Sequence, residues 1–147
     1  MSWPIEFWAP GKPQPQGSKS QDRHGNMFES AADLSVWRKA VWAYARQAMR
    51  RLPPALATVP MVCEVEFVLY RPKNLPKTKA TPPAVKKPDS DKLARAIGDA
   101  MKGVVYADDS QIVRWLISKR IAEPGEQMGA RITVYPVDKE GDSRNGT

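Results

Sequence analysis

Two acidic clusters are the residues whose types and spacing could do chemistry. The first is Pro88-Asp89-Ser90-Asp91 and the second is Asp108-Asp109. Carboxylates at i and i+2 of an extended chain point to one side, which suits shared capture of a hard cation through oxygen. A helix start at Ser90 would also favour the ionised form of both acids. Each cluster has an ordinary reading as well: Asp89 or Ser90 as a helix cap with Asp91 in the first turn, and Asp108-Asp109-Ser110 as turn chemistry. The helix between them, about 12 residues, would be about 18 Å long. The returning chain must run back along it, or a second subunit must help, before the clusters can meet.

Their surroundings are basic. The chain has 147 residues and a formal charge of +7, unevenly spread. Residues 1–88 hold fourteen Lys/Arg against six Asp/Glu, and residues 89–147 nine against ten. A basic half beside clustered aspartates suggests a polyanion-binding surface next to a carboxylate site, and nucleic acid is the commonest such partner. One cysteine, Cys63, excludes a disulfide framework and a Cys-rich zinc site. One histidine, His24, argues against zinc hydrolases that need two or three His ligands. No apolar run approaches a membrane span, and MSWPIEFWAP lacks the form of a signal peptide, so a reducing cytoplasm is expected.

The elements that must position these groups follow from periodicity. Trp3 to Trp8 alternates and reads as a strand; residues 9–29, with three prolines and three glycines, read as a loop. A capping box at Ser30 and Asp33 should open a helix carrying Leu34, Trp37, Val41, Ala45 and Ala48 on one stripe, stopped by Pro53-Pro54. Met61 to Tyr70 alternates, with Cys63, Val65, Phe67 and Leu69 on the covered face and Glu64 and Glu66 on the other. Residues 71–88 hold five prolines and six basic residues without one acid, a loop expected to be mobile without its partner. Ser90 to Met101 is the second helix, with Leu93, Ala94, Ile97, Ala100 and Met101 inward. A strand with Val113, Trp115 and Ile117 facing inward follows, then a Pro124-Gly125 turn and a strand through Ala130, Ile132 and Val134. The order β-α-β-α-β-β implies an α+β fold, a mixed sheet with helices packed on it as an α/β-type sandwich. One domain is expected over residues 1–137, with a frayed polar tail at 138–147.

Residues 87–120 resemble the signature region of the RusA family of Holliday junction resolvases, found in bacteria and their prophages. That family opens a helix with D-x-D-N-L, places a lysine four residues after the second acid and an aspartate later, and turns into a strand through D-D-x-Q-[IV]. Here those parts read Asp89-Ser90-Asp91-Lys92-Leu93, then Arg95, Asp99, and Asp108-Asp109-Ser110-Gln111-Ile112. Lys92 replaces the usual Asn and Arg95 the usual Lys. Arg keeps the charge and can hold a phosphate, but it is no easy proton donor.

The resemblance implies a homodimeric, Mg²⁺-dependent endonuclease, with Mn²⁺ as a substitute, that nicks opposed strands of a four-way DNA junction. It implies metal binding by Asp89, Asp91 and Asp109 with Asp108 beside them. Arg95 would stabilise transition-state charge, and Asp99 could hold Arg95 by an i,i+4 pair. Lys73, Lys77, Lys79, Lys86, Lys87 and Lys92 would contact backbone phosphates, and Arg38, Arg46 and Arg50 of the first helix are further candidates. Trp3, Phe7, Trp37 and Trp115 read as core rather than base-stacking platforms. Two other functions fit the same residues: a nuclease for flaps or forks, and a DNA-binding module whose acids only cap and turn.

Overall fold

The structure is a computed structural model that describes residues 3–17 and 26–137; His24 and the tail from Asp138 lie outside them. Its elements are β1 (Ile5–Pro10), α1 (Asn26–Met49), β2 (Met61–Leu69), α2 (Ser90–Ala100), β3 (Ile112–Ile121) and β4 (Gly129–Pro136). A short 3-10 turn at Asp109–Gln111 leads into β3. The sheet runs β1-β4-β2-β3. β2 and β3 are parallel because α2 carries the chain back between them, whereas β4 inserts antiparallel between β1 and β2. This is the expected mixed sheet of an α+β fold. Among the described residues no helix is long and apolar enough to cross a membrane.

Both helices lie on one face. α1 buries Trp37, Val41, Ala45 and Met49 at strict i+4 spacing, and α2 buries Leu93, Ala96, Ile97 and Ala100. They close over Phe7, Cys63, Val65, Phe67, Ile132 and Val134 in one cluster. Each large apolar side chain so enclosed contributes about 1.5–3 kcal/mol. Trp3 and Trp115 pack against this cluster from its margin, so the tryptophans expected in the core are core or core-edge residues. Burial pushes the Cys63 thiol well up, which leaves it un-ionised and inert. The opposite sheet face is polar and shallow, lined by Glu6, Glu64, Glu66, Ser118, Arg131 and Thr133.

Three local expectations are corrected. α1 begins at Asn26, so Ser30 lies inside the helix rather than capping it. The helix stops before the prolines, where Arg50 takes a left-handed backbone with φ 55°. In β3 the register slips between Met61↔Ile112 and Val62↔Arg114, so Val113 is an unpaired bulge residue and is 64% exposed. The bulge turns Ile112 inward in its place, and Trp115 and Ile117 keep the expected face.

The 71–88 loop is also more fixed than its composition suggests. The Arg71 guanidinium donates to the Thr81 hydroxyl at 2.7 Å, to the Pro76 carbonyl at 2.8 Å and to the Ala122 carbonyl at 3.2 Å. Thr81 in turn donates to Glu123 at 2.5 Å. A loop without secondary structure is thereby folded back on the ends of β2 and β3.

Candidate active site

At the start of α2, Asp89 is the N-cap residue, with extended backbone (φ −72°, ψ 139°) and no side-chain capping bond. Its carboxylate therefore stays available, half exposed, with Lys92 Nζ 3.8 Å away. Asp91 follows in the first turn, exposed, and takes no hydrogen bond or ion pair from the described residues. The approach to this pair is set from β3. Lys119 Nζ donates to the carbonyls of Lys86 and Pro88, both at 2.8 Å, and so pins the chain just before Asp89. Sequence reasoning missed Lys119. Its signal was a lysine in phase with Trp115 and Ile117, on the strand face that should be apolar.

At the other end of α2, Asp108 caps the 3-10 turn. Its carboxylate accepts from the Ser110 backbone at 3.0 Å and from the Ser110 hydroxyl, and Lys102 Nζ lies 3.0 Å away. The Ser110 hydroxyl first, and Lys102 next, hold the Asp108 carboxyl down at about 2; the same pairing raises Lys102. Gln111 brackets the turn. It accepts the Asp108 N–H at 2.8 Å and donates to the Leu56 and Val59 carbonyls at 2.7 and 3.0 Å. The Tyr106 hydroxyl donates to the Gly98 carbonyl at 2.6 Å and ties the same turn to α2. Asp109 takes no such bond from the described residues. Its Cβ lies beside Gly98, where an added methyl would sit 3.5 Å from it and 3.3 Å from the Trp115 ring.

The acids thus form two groups. Asp89 and Asp91 share the α2 N-terminus; Asp99, Asp108 and Asp109 surround Lys102 near its C-terminus. Asp91 and Gly98 are seven residues apart, about 10 Å along the axis. Among the described residues no three His, Cys, Asp or Glu side chains form a group that could hold a metal ion. Asp89 and Asp91 nonetheless fit magnesium in their chemistry: two neighbouring, exposed carboxylates, for an ion that takes one or two carboxylates and completes its shell with water and phosphate oxygen. Asp99 does not pair with Arg95. It pairs with Arg38 of α1 and accepts from Gln16 at 3.5 Å, which joins the two helices and the loop after β1. Arg95 instead lies against Gly17, whose φ of +88° and lack of Cβ leave room for the guanidinium.

The basic residues converge on the Asp89 end. A groove of about 330 Å³ beside Asp89 is lined by Lys12, Lys87 and Lys92 together with Pro13, Gln14 and Pro88. Lys86 adjoins it, and Lys73, Lys77 and Lys79 are exposed farther out on the same loop. Lys12 had no sequence signal beyond its charge.

Two exposed carboxylates at the start of α2 thus stand beside a lysine-lined groove on an α+β fold. The chain belongs to the RusA endodeoxyribonuclease family: the family model described as Endodeoxyribonuclease RusA matches residues 10–135. Membership implies a nuclease of the Holliday junction resolvase kind. The chain is also similar to the uncharacterized protein YqaN of Bacillus subtilis (strain 168), 27% identical over 128 residues, covering 81% of this chain and 89% of the relative.

Proposed function

We propose that this protein is a Mg²⁺-dependent endonuclease that resolves four-way DNA junctions by paired, symmetric nicks, acting as a homodimer in DNA recombination and repair. The observation that carries the reading is the exposed Asp89–Asp91 pair, with Asp89 lining a lysine-framed groove, inside the segment that matches the family. A two-fold symmetric junction presents one equivalent strand to each subunit of a two-fold dimer. Mn²⁺ would serve in place of Mg²⁺.

Asp89 and Asp91 would hold the metal; Asp109 belongs to the same family motif but stands in the other acid group, about 10 Å along α2. Asp108, already engaged by Ser110 and Lys102, presents Asp109 on a rigid turn. A bound divalent ion supplies polarisation of the scissile phosphate and a more acidic attacking water. Lys87 and Lys92 draw the strand to the acids, and Lys86 with Lys73, Lys77 and Lys79 carries the duplex arm by phosphate contact. Arg95, one turn beyond Asp91, offsets charge on the phosphate as it develops; a guanidinium does so at any working pH.

Asp91→Asn separates binding from chemistry because it removes charge with little change of shape. The expected result is a loss of nicking of about a hundredfold or more, the size of several kcal/mol of charge stabilisation. Junction binding in EDTA should be retained or slightly tighter. Wild-type nicking by Asp91→Asn would remove the acid pair from the reaction.

A further inference from the structure

A second groove, of about 710 Å³, opens beside the one at Asp89, and apart from Lys86 and Lys87 its lining has no part in the reading above. Leu69 and Ile121, the last residues of β2 and β3, line it together with Tyr70, Pro82, Pro83 and Val85. The volume is that of a small-ligand site. Its walls are fixed from both ends, by the Arg71 bonds to Thr81, Pro76 and Ala122 and by Lys119 on Lys86 and Pro88. The groove is therefore formed before any ligand arrives.

Its chemistry is that of a flat apolar slot with a cationic rim. Tyr70 is 45% exposed and Val85 80%, unusual for apolar groups that face a concavity. Lys12, Lys86 and Lys87 line it, and no acid does. Lys12 Nζ stands over one face of the Tyr70 ring, 5.7 Å from its centroid, so a flat group would meet the other face with the charge close behind it. A ligand that carries negative charge along one side and a flat ring on the other meets both demands. The groove is also continuous with the one at Asp89, since Lys12, Pro13, Lys87 and Pro88 line both. The Tyr70 groove is thus within reach of a strand laid along the Asp89 groove.

We propose that this groove is a nucleobase subsite: one base of the strand passing Asp89 leaves its stack and lies against Tyr70, with its flanking phosphates on Lys12, Lys86 and Lys87. The subsite rests on the nuclease reading for the identity of the strand. It places a base-contacting surface beside the acid pair, so the strand is held there by a base as well as by its phosphates. Stacking on an aromatic ring tolerates every base but favours the larger and flatter ones.

The test is binding of the full chain in EDTA to a fluorescent single strand and to a four-way junction, each intact and with one abasic residue scanned along the strand. Loss of the base at one position near the crossover should weaken wild-type binding by roughly tenfold, the scale of one base–aromatic stack. Tyr70→Ala should bind the intact strand equally weakly and be indifferent to that abasic site. Tyr70→Phe, which keeps the ring, should behave as wild type. Full affinity in Tyr70→Ala, or losses that multiply rather than overlap, would overturn the subsite. So would Tyr70-dependent binding of an acidic, leucine-bearing peptide without any base dependence, which would give the groove to a protein partner. Nicking in Mg²⁺ on the same junctions keeps the two ideas apart. A wild type that nicks while Tyr70→Ala binds normally sinks the subsite alone; Tyr70-dependent base binding in a protein that cuts no junction sinks the nuclease reading alone.

Discussion

Replacing Lys119 by Met keeps the length and apolar stem of the side chain and removes its charge. In the native protein that charge satisfies the carbonyls of Lys86 and Pro88, each at 2.8 Å. A hydrogen bond to a charged group is worth about 1.5–3 kcal/mol when shielded. These bonds are only partly shielded from water, so two of them together are worth about 2 kcal/mol. For a chain of this size that corresponds to a fall in Tm of about 4–8 °C. The larger effect is positional. Lys119 reaches the chain immediately before Asp89, and a shift of about 1 Å in a reacting group can cost about 10²-fold in rate. The assay is single-turnover nicking of a junction across a Mg²⁺ titration, with thermal unfolding and EDTA binding measured on the same protein. Lys119→Met should lower the rate, raise the Mg²⁺ needed for half-maximal nicking and leave binding in EDTA nearly unchanged. Lys119→Arg, which can still donate to both carbonyls, should recover part of the rate. A Lys119→Met protein with wild-type rate and Mg²⁺ requirement would refute the positioning argument. Equal loss of binding and nicking would refute it too, by making Lys119 a DNA contact.

Two further predictions concern the turn that presents Asp109. Asp108 has its pKa lowered from 3.8 to about 2 in the folded protein, so its contribution to stability is full above the unfolded value and is lost as pH falls toward 2. Asp108→Asn should flatten that acid limb in unfolding curves taken from pH 5 to 2; an unchanged limb would show that the Ser110 and Lys102 contacts do not hold in solution. Gln111→Leu keeps the buried volume but strips partners from the Leu56 and Val59 carbonyls and the Asp108 N–H, at a cost of about 2–4 kcal/mol in urea unfolding. A loss below about 0.5 kcal/mol would mean the bracket is dispensable.

What the sequence disclosed was whatever repeats with a local period. The alternation of Cys63, Val65 and Phe67 and the helical spacing of Leu93, Ile97 and Ala100 both state which face is buried, and the sheet and α2 follow from them. The bulge at Val113 was hidden because alternation cannot register one inserted residue until the partner strand is known. Long-range polar partners were equally hidden. Asp99 was expected to meet Arg95 on its own helix, yet Arg38, from a helix sixty residues earlier, lies closer once α1 and α2 pack. The Tyr70 groove belongs to the same class, since it exists only when the proline-rich loop is folded back by Arg71. The acid motif was plain as a pattern, but the spacing that separates Asp91 from Asp109 is set by where the turn docks on Gly98.

The most direct test of the central claim is strand-by-strand mapping of cuts in a fixed four-way junction, with a fork and a linear duplex of the same sequence beside it. With Mg²⁺ or Mn²⁺ the protein should place one nick in each of two opposed strands, at symmetric positions, while the linear duplex stays intact and the fork is cut far more slowly. No cutting with either ion, or cutting of all three substrates alike, would contradict it.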